Sequence, residues 1–207
     1  MQMRRIVSKY DKQLMADLPR AIFPGRIVVI VSESEAERAV DFLMRQPVLG
    51  LDTETRPSFS KGALHKVALL QVCSGEVCFL FRLNRIGLPR CLTKMLGDRT
   101  LTKVGLSWHD DLRLLGQLKH FCAGTFVELQ SIAEQMGIED KSLQKLYANI
   151  FGQKISKGQQ LTNWEADNLT EAQKLYAATD AWACIQLYKE MMRLQKEGYE
   201  IEMKNEQ

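Results

Sequence analysis

Five short apolar runs decide which folds are open to this chain of 207 residues. Ile27–Val31, Val48–Glu54, Val67–Val72, Val77–Phe81 and Thr102–Leu106 are rich in β-branched or aromatic side chains and end in turn residues, so each predicts a strand. The Ser74-Gly75 pair turns the third run into the fourth. Ser32 caps a helical stretch reaching about Arg45, with Glu33, Glu35 and Glu37 in its N-terminal half. Helical patterning returns around Ile86–Leu96 and dominates from Trp108 onward. It ends in a long helix from about Thr170 to the Lys196-Glu197-Gly198 stop. Strands first, with helices between and after, predict an α/β or α+β sheet covered by helices.

No repeat, low-complexity tract or linker divides the sequence, so one domain is expected. Residues 1–26 read as a helix-containing lead-in closed by Phe23-Pro24-Gly25, residues 27–197 as the domain, and residues 198–207 as a charged tail that frays. A hydrophobic content of 45% excludes wholesale disorder and fibrous classes. A net charge of +3 permits nucleic-acid binding without arguing for it. No apolar run approaches the roughly 18 residues that span a bilayer, so no membrane partner is expected. Met1–Arg20 lacks the apolar stretch and cleavage site of a secretory signal. The five cysteines are odd in number and sit mostly in apolar runs, as reduced core cysteines of a cytoplasmic protein would. A zinc site built from His65, Cys73, Cys78 and His109 contains no tightly spaced ligand pair.

Three groups of acids stand where acids are costly. In Val48-Leu49-Gly50-Leu51-Asp52-Thr53-Glu54, strand alternation puts Asp52 and Glu54 on one face, about 7 Å apart along the strand. Two carboxylates ending an apolar strand want a positive partner, and a divalent cation is the economical one. Alone, the pair reads equally well as a polar strand end running into a solvated loop. In Ser107-Trp108-His109-Asp110-Asp111, Ser107 fits an N-cap, and acids in a first turn suit the helix dipole. Phase separates the two: Asp111 shares a face with Leu115 and Leu118, whereas Asp110 reads as a helix-start acid. In Tyr176-Ala177-Ala178-Thr179-Asp180, the phenol and the acid stack at i, i+4 on a face continuing through Ala183, Cys184, Leu187 and Met191. An acid within an apolar stripe needs a reason, and a local Tyr–Asp hydrogen bond is one. Together the groups supply four acids and a phenol, a ligand set for two Mg²⁺-type ions and a water-orienting hydroxyl: two-metal phosphodiester hydrolysis.

These residues resemble the 3′–5′ exonuclease domain of the DnaQ-like, ribonuclease H-like superfamily. The resemblance is to its tyrosine-type DEDD branch, which includes ribonuclease D and the Werner-type exonuclease. It is carried by Gly50-Leu51-Asp52-Thr53-Glu54-Thr55-Arg56-Pro57, by Lys103-Val104-Gly105 followed by Asp111, and by Tyr176-Ala177-Ala178-Thr179-Asp180-Ala181. Ser142-Leu143-Gln144-Lys145-Leu146 and Lys157-Gly158-Gln159-Gln160-Leu161-Thr162-Asn163-Trp164 are also similar, and the matched region runs from about Ile27 to Met192.

The resemblance implies an α/β, ribonuclease H-like fold with a central mixed sheet of about five strands flanked by helices. It implies a metal-dependent 3′–5′ exonuclease that releases 5′-nucleotides with two divalent cations, Mg²⁺ or Mn²⁺. Asp52, Glu54 and Asp180 would hold the cation carrying the attacking water, Asp52 would also touch the second, and Asp111 would complete that second site. Tyr176 would orient the water. The implied partner is nucleic acid, DNA or RNA, at single-stranded or frayed 3′ ends. Lys157 is a candidate phosphate contact or an ordinary solvated lysine, Trp164 a stacking residue or core, and Phe59 a wedge against the terminal base. Glu128 stands where relatives often carry Asp, with little consequence expected. The helical nucleic-acid-binding domains of ribonuclease D have no counterpart in the sequence, so affinity is expected from this domain alone or from a partner. The alternative is a non-catalytic nucleic-acid-binding or interaction module on the same fold, which a broken acid set would favour.

Overall fold

The computed structural model describes residues 4–58 and 65–203. In chain order these form β1 (Arg4–Val7), a 3₁₀ turn (Gln13–Met15), β2 (Arg26–Ile30), α1 (Glu33–Leu43), β3 (Val48–Thr55), β4 (Val67–Cys73), β5 (Val77–Phe81), α2 (Leu83–Ile86) and α3 (Arg90–Gly97). There follow β6 (Thr102–Gly105), α4 (Trp108–Leu118), β7 (Phe126–Glu128), α5 (Leu129–Gln135), α6 (Leu143–Phe151), α7 (Glu171–Glu197) and β8 (Tyr199–Glu202). Six strands make one mixed sheet in the order β2-β5-β4-β3-β6-β7. The β3–β4–β5 meander is antiparallel, and β2, β6 and β7 join parallel to their neighbours.

All five predicted strands are present, and the sixth, β7, is three residues long, too short to declare a period of two. The helix expected around Ile86–Leu96 is two helices, because Gly87 adopts φ 63° and Pro89 stands at the start of α3. The tail expected to fray is ordered over Tyr199–Glu202: it pairs in parallel with Arg4–Val7 as a small second sheet, a contact across nearly the whole chain that no local pattern reveals. Among the described residues no helix is long and apolar enough to cross a membrane.

Local chemistry accounts for the helix ends. The Ser32 side chain accepts from the Glu35 N–H while the Glu35 carboxylate accepts from the Ser32 N–H, closing a capping box. Thr170 and Gln173 do the same for α7, whose far end is Gly198 at φ 91°.

The sheet divides two cores. Leu49 and Leu51 of β3 point to one, with α1, α3, Trp108 and Leu115. Gly50, Asp52 and Glu54 alternate to the other face, where α5, α6 and α7 pack. At Gly50 a Cβ would lie 2.1 Å from the Ala181 carbonyl oxygen and 2.7 Å from Ile185, so the missing side chain is what lets α7 cross β3. That crossing brings Asp180 down onto Asp52 and Glu54. Gly50→Ala is therefore expected to destabilise the protein by about 3 kcal/mol, the upper end for overpacking a close-packed core. Thermal unfolding checks this, and an unchanged Tm would mean that α7 can shift without loss.

Candidate active site

Asp52, Glu54 and Asp180 each offer a carboxylate oxygen, and these atoms lie within 4.8 Å of one another. Glu54 and Asp180 are buried, and Asp180 Oδ1 has no hydrogen-bond partner among the described residues. Burial pushes Asp52 well above the usual carboxylate range, helped by the charges of Asp180 and Asp111. Burial, then Asp52, Asp180 and Asp111, raise Glu54 to about 10. Asp180 rises to about 7 through burial, partly offset by the Tyr176 phenol and the Lys157 ammonium. Without a positive partner the cluster must hold protons to exist at neutral pH. Hard oxygen donors, mutual repulsion and an orphaned buried lone pair all fit a divalent cation. Asp52, Glu54 and Asp180 are the residues that could hold one.

Asp111 stands outside the three acids whose oxygens converge, near enough for its charge to act on Asp52 and Glu54. Its Oδ1 accepts from the Thr53 hydroxyl, between the two acids of β3. Burial raises it to about 6. Asp110 faces solvent and pairs with Arg113 at 3.6 Å. Ser107 stands at the start of α4 but makes no side-chain cap; it is the one non-glycine residue with positive φ, 64°, among those described. Glu128 does the capping from β7: its carboxylate accepts from the N–H groups of Ser107 (3.0 Å), Trp108 (2.9 Å) and Gln130 (3.1 Å). One side chain thereby anchors the starts of both α4 and α5.

A cavity of about 280 Å³ opens over the cluster, lined by Asp52, Thr53, Glu54, Tyr176, Asp180 and Cys184, and by Ser142, Gln144, Lys157 and Gln160 opposite. A family described as 3′-5′ exonuclease matches residues 27–196. The chain belongs to the 3′–5′ exonuclease family. Its members are hydrolases.

The chain is 32% identical over 195 residues to the mouse (Mus musculus) bifunctional 3′-5′ exonuclease/ATP-dependent helicase WRN, a match covering 89% of this chain and 14% of that protein. It is 31% identical over 189 residues to an Arabidopsis thaliana 3′-5′ exonuclease, covering 84% and 66%. The chain thus spans less than two thirds of the length of either relative. In fold it is similar to the Escherichia coli ribonuclease D structure, with a TM-score of 0.75, 21% identity, and 83% of this chain and 46% of that one covered. The mixed sheet flanked by helices is the ribonuclease H-like fold of such exonucleases.

In this exonuclease fold the loop between α6 and α7 carries Lys157 and Gln160 to the cavity. Its far end is strapped down by Arg82, whose guanidinium donates to the carbonyls of Ala166 and Asp167, and by Asn84, which donates to that of Glu165 (3.3 Å). The Glu165 carboxylate pairs with both Arg56 and His65, each at 3.3 Å. Trp164 reaches neither solvent nor the cavity. It is wholly buried with its ring 6.0 Å from that of Tyr176, so it is core and a backing for the phenol, not a stacking platform for substrate. Phe59 lies outside the described residues. Cys73 and Cys78 face each other as buried free thiols, and the one group of potential metal ligands among the described residues is the acid cluster, which corrects the zinc alternative.

Thr53, Gln144 and Gln160 also line the cavity; in the sequence their only signal is that each lies inside one of the motifs that carry the resemblance.

Proposed function

We propose that this chain hydrolyses nucleic acid from the 3′ end, releasing 5′-nucleotides, with two divalent cations, Mg²⁺ or Mn²⁺. The observation that carries the reading is the convergence of three carboxylates within 4.8 Å, one with an unpartnered buried oxygen, under a cavity of about 280 Å³. Asp52, Glu54 and Asp180 would hold one cation, and Asp52 with Asp111 would hold the second. When bound, such ions lower the pKa of the attacking water and stabilise the leaving 3′-oxygen.

The chain's own residues supply the rest. Burial and the neighbouring Asp180 and Glu54 push the Tyr176 phenol above its ordinary range, so it stays protonated and orients water by hydrogen bonding instead of removing a proton. Lys157 lines the cavity, where an ammonium offsets acid charge and attracts a phosphodiester. Four acids against two dications leave the site near neutral, able to admit an anionic strand. Single-stranded or frayed ends, of DNA or RNA, suit a cavity of this size.

The test is degradation of a 5′-labelled single-stranded DNA and its RNA counterpart with Mg²⁺, Mn²⁺ or EDTA, beside an Asp52→Ala control. A ladder shortening from the 3′ end, abolished by EDTA and by the substitution, is expected. No cleavage of either strand by folded protein under any ion would replace this reading with a binding module.

A further inference from the structure

Gln71 lies on β4 directly opposite Asp52 of β3. Its exposure is 0%, and neither its amide nitrogen nor its amide oxygen has a hydrogen-bond partner among the described residues. Residues directly opposite in an antiparallel pair share a face, with Cβ atoms about 4.5–5.5 Å apart. Gln71 accordingly points to the α7 side, where its neighbours along the strand, Leu69 and Cys73, join the core. A core tolerates few orphaned amides, and one with both ends unpaired calls for a reason. Packing supplies none, since an apolar side chain of the same length would fill the space without desolvating a polar group. The neighbours supply one: Asp52 accepts a hydrogen bond from the Thr53 N–H (2.9 Å), which leaves lone pairs on its carboxylate. Asp180 Oδ1 is a second orphan in the same cluster. A glutamine side chain is long enough to reach a carboxylate directly across a strand pair.

We propose that Gln71, unpaired among the described residues, is a positioning residue for the cation site: with cations bound, its amide N–H would donate to the Asp52 carboxylate and fix which oxygen lone pairs Asp52 turns toward them. The inference rests on the cation-dependent reading given above. Ligating carboxylates are ordinarily oriented by such outer partners, whose loss weakens metal affinity or activity about ten- to a hundredfold.

The experiment compares wild type with Gln71→Met and Gln71→Leu in two readouts, Tm in EDTA against Tm in Mn²⁺, and the Mn²⁺ concentration giving half-maximal hydrolysis. Both variants are expected to keep or raise the Tm in EDTA, because an unpaired amide is removed. The rise in Tm on adding Mn²⁺ is expected to shrink, and half-activation to need about ten- to a hundredfold more Mn²⁺ with an unchanged KM for the oligonucleotide. An unaltered Mn²⁺ response would overturn the inference, as would a fall of Tm in EDTA with that response intact, which would make Gln71 purely structural. A wild type indifferent to Mn²⁺ would defeat the cation reading itself, and the inference with it.

Discussion

Asp180→Asn is expected to lower 3′-end hydrolysis by at least about a thousandfold, some 4 kcal/mol at 1.36 kcal/mol per tenfold. The same substitution is expected to raise the Tm of EDTA-treated protein by several degrees. Both effects have one cause. Asp180 is 4% exposed, within reach of Asp52 and Glu54, and one of its oxygens has no partner. A carboxylate kept there costs the fold stability, as the proposed cation site requires, and the asparagine keeps its volume while removing its charge. Glu54 and Asp52 would each lose a repelling neighbour, since Asp180 contributes to the upward shift of both. Rates on a labelled oligonucleotide and thermal unfolding in EDTA read the two halves separately. Activity kept near wild type, or a Tm that falls, would place Asp180 in the core and outside the chemistry.

The second large effect is on the pH dependence of stability. In EDTA the Tm is expected to fall as pH rises from about 4 to about 10, and a divalent cation to remove most of that slope. Folded-state values of about 6 for Asp111, about 7 for Asp180 and about 10 for Glu54 all exceed the ordinary 3.8, 3.8 and 4.5. Between the two values the folded protein holds protons that the unfolded chain has released, so stability declines with pH. The contribution is whole below the unfolded values and is lost in turn through about 6, 7 and 10. Glu35, Asp98 and Glu190 are shifted downward by hydrogen bonds and act in the opposite sense, but only at the acid end. Cations bind the deprotonated acids, and a ligand at a hundred times its dissociation constant adds about 2.7 kcal/mol. The rise in Tm caused by Mn²⁺ should therefore grow with pH. A Tm in EDTA that is level across neutral pH, or an Mn²⁺ effect that shrinks as pH rises, would show that the acids do not form one buried cluster.

Local periodicity made the site partly legible. Asp52 and Glu54 could be placed on one face because strand side chains alternate, and Asp180 stood out because it interrupts an apolar helical stripe. What brings them together could not be read locally. Gly50 yields to α7 only because the Ala181 carbonyl passes over it, a relation across 131 positions of sequence. Gln71 is one polar residue within an apolar run, and its meaning depends on the residue facing it on the next strand. The capping role of Glu128 is equally hidden from local pattern, because the helix it caps begins 20 residues earlier. Trp164 reads from the sequence more readily as core than as a stacking residue, and its complete burial decides for core. The β1–β8 pairing joins the two ends of the described chain, the kind of contact to which neither propensity nor pattern is sensitive.

The most direct test of the two-cation site is an anomalous difference map from crystals soaked in Mn²⁺. Two peaks about 3.5–4 Å apart are expected, one among Asp52, Glu54 and Asp180 and one between Asp52 and Asp111. A map with no peak at these carboxylates, from crystals whose protein degrades a 3′ end in the same buffer, would contradict the account.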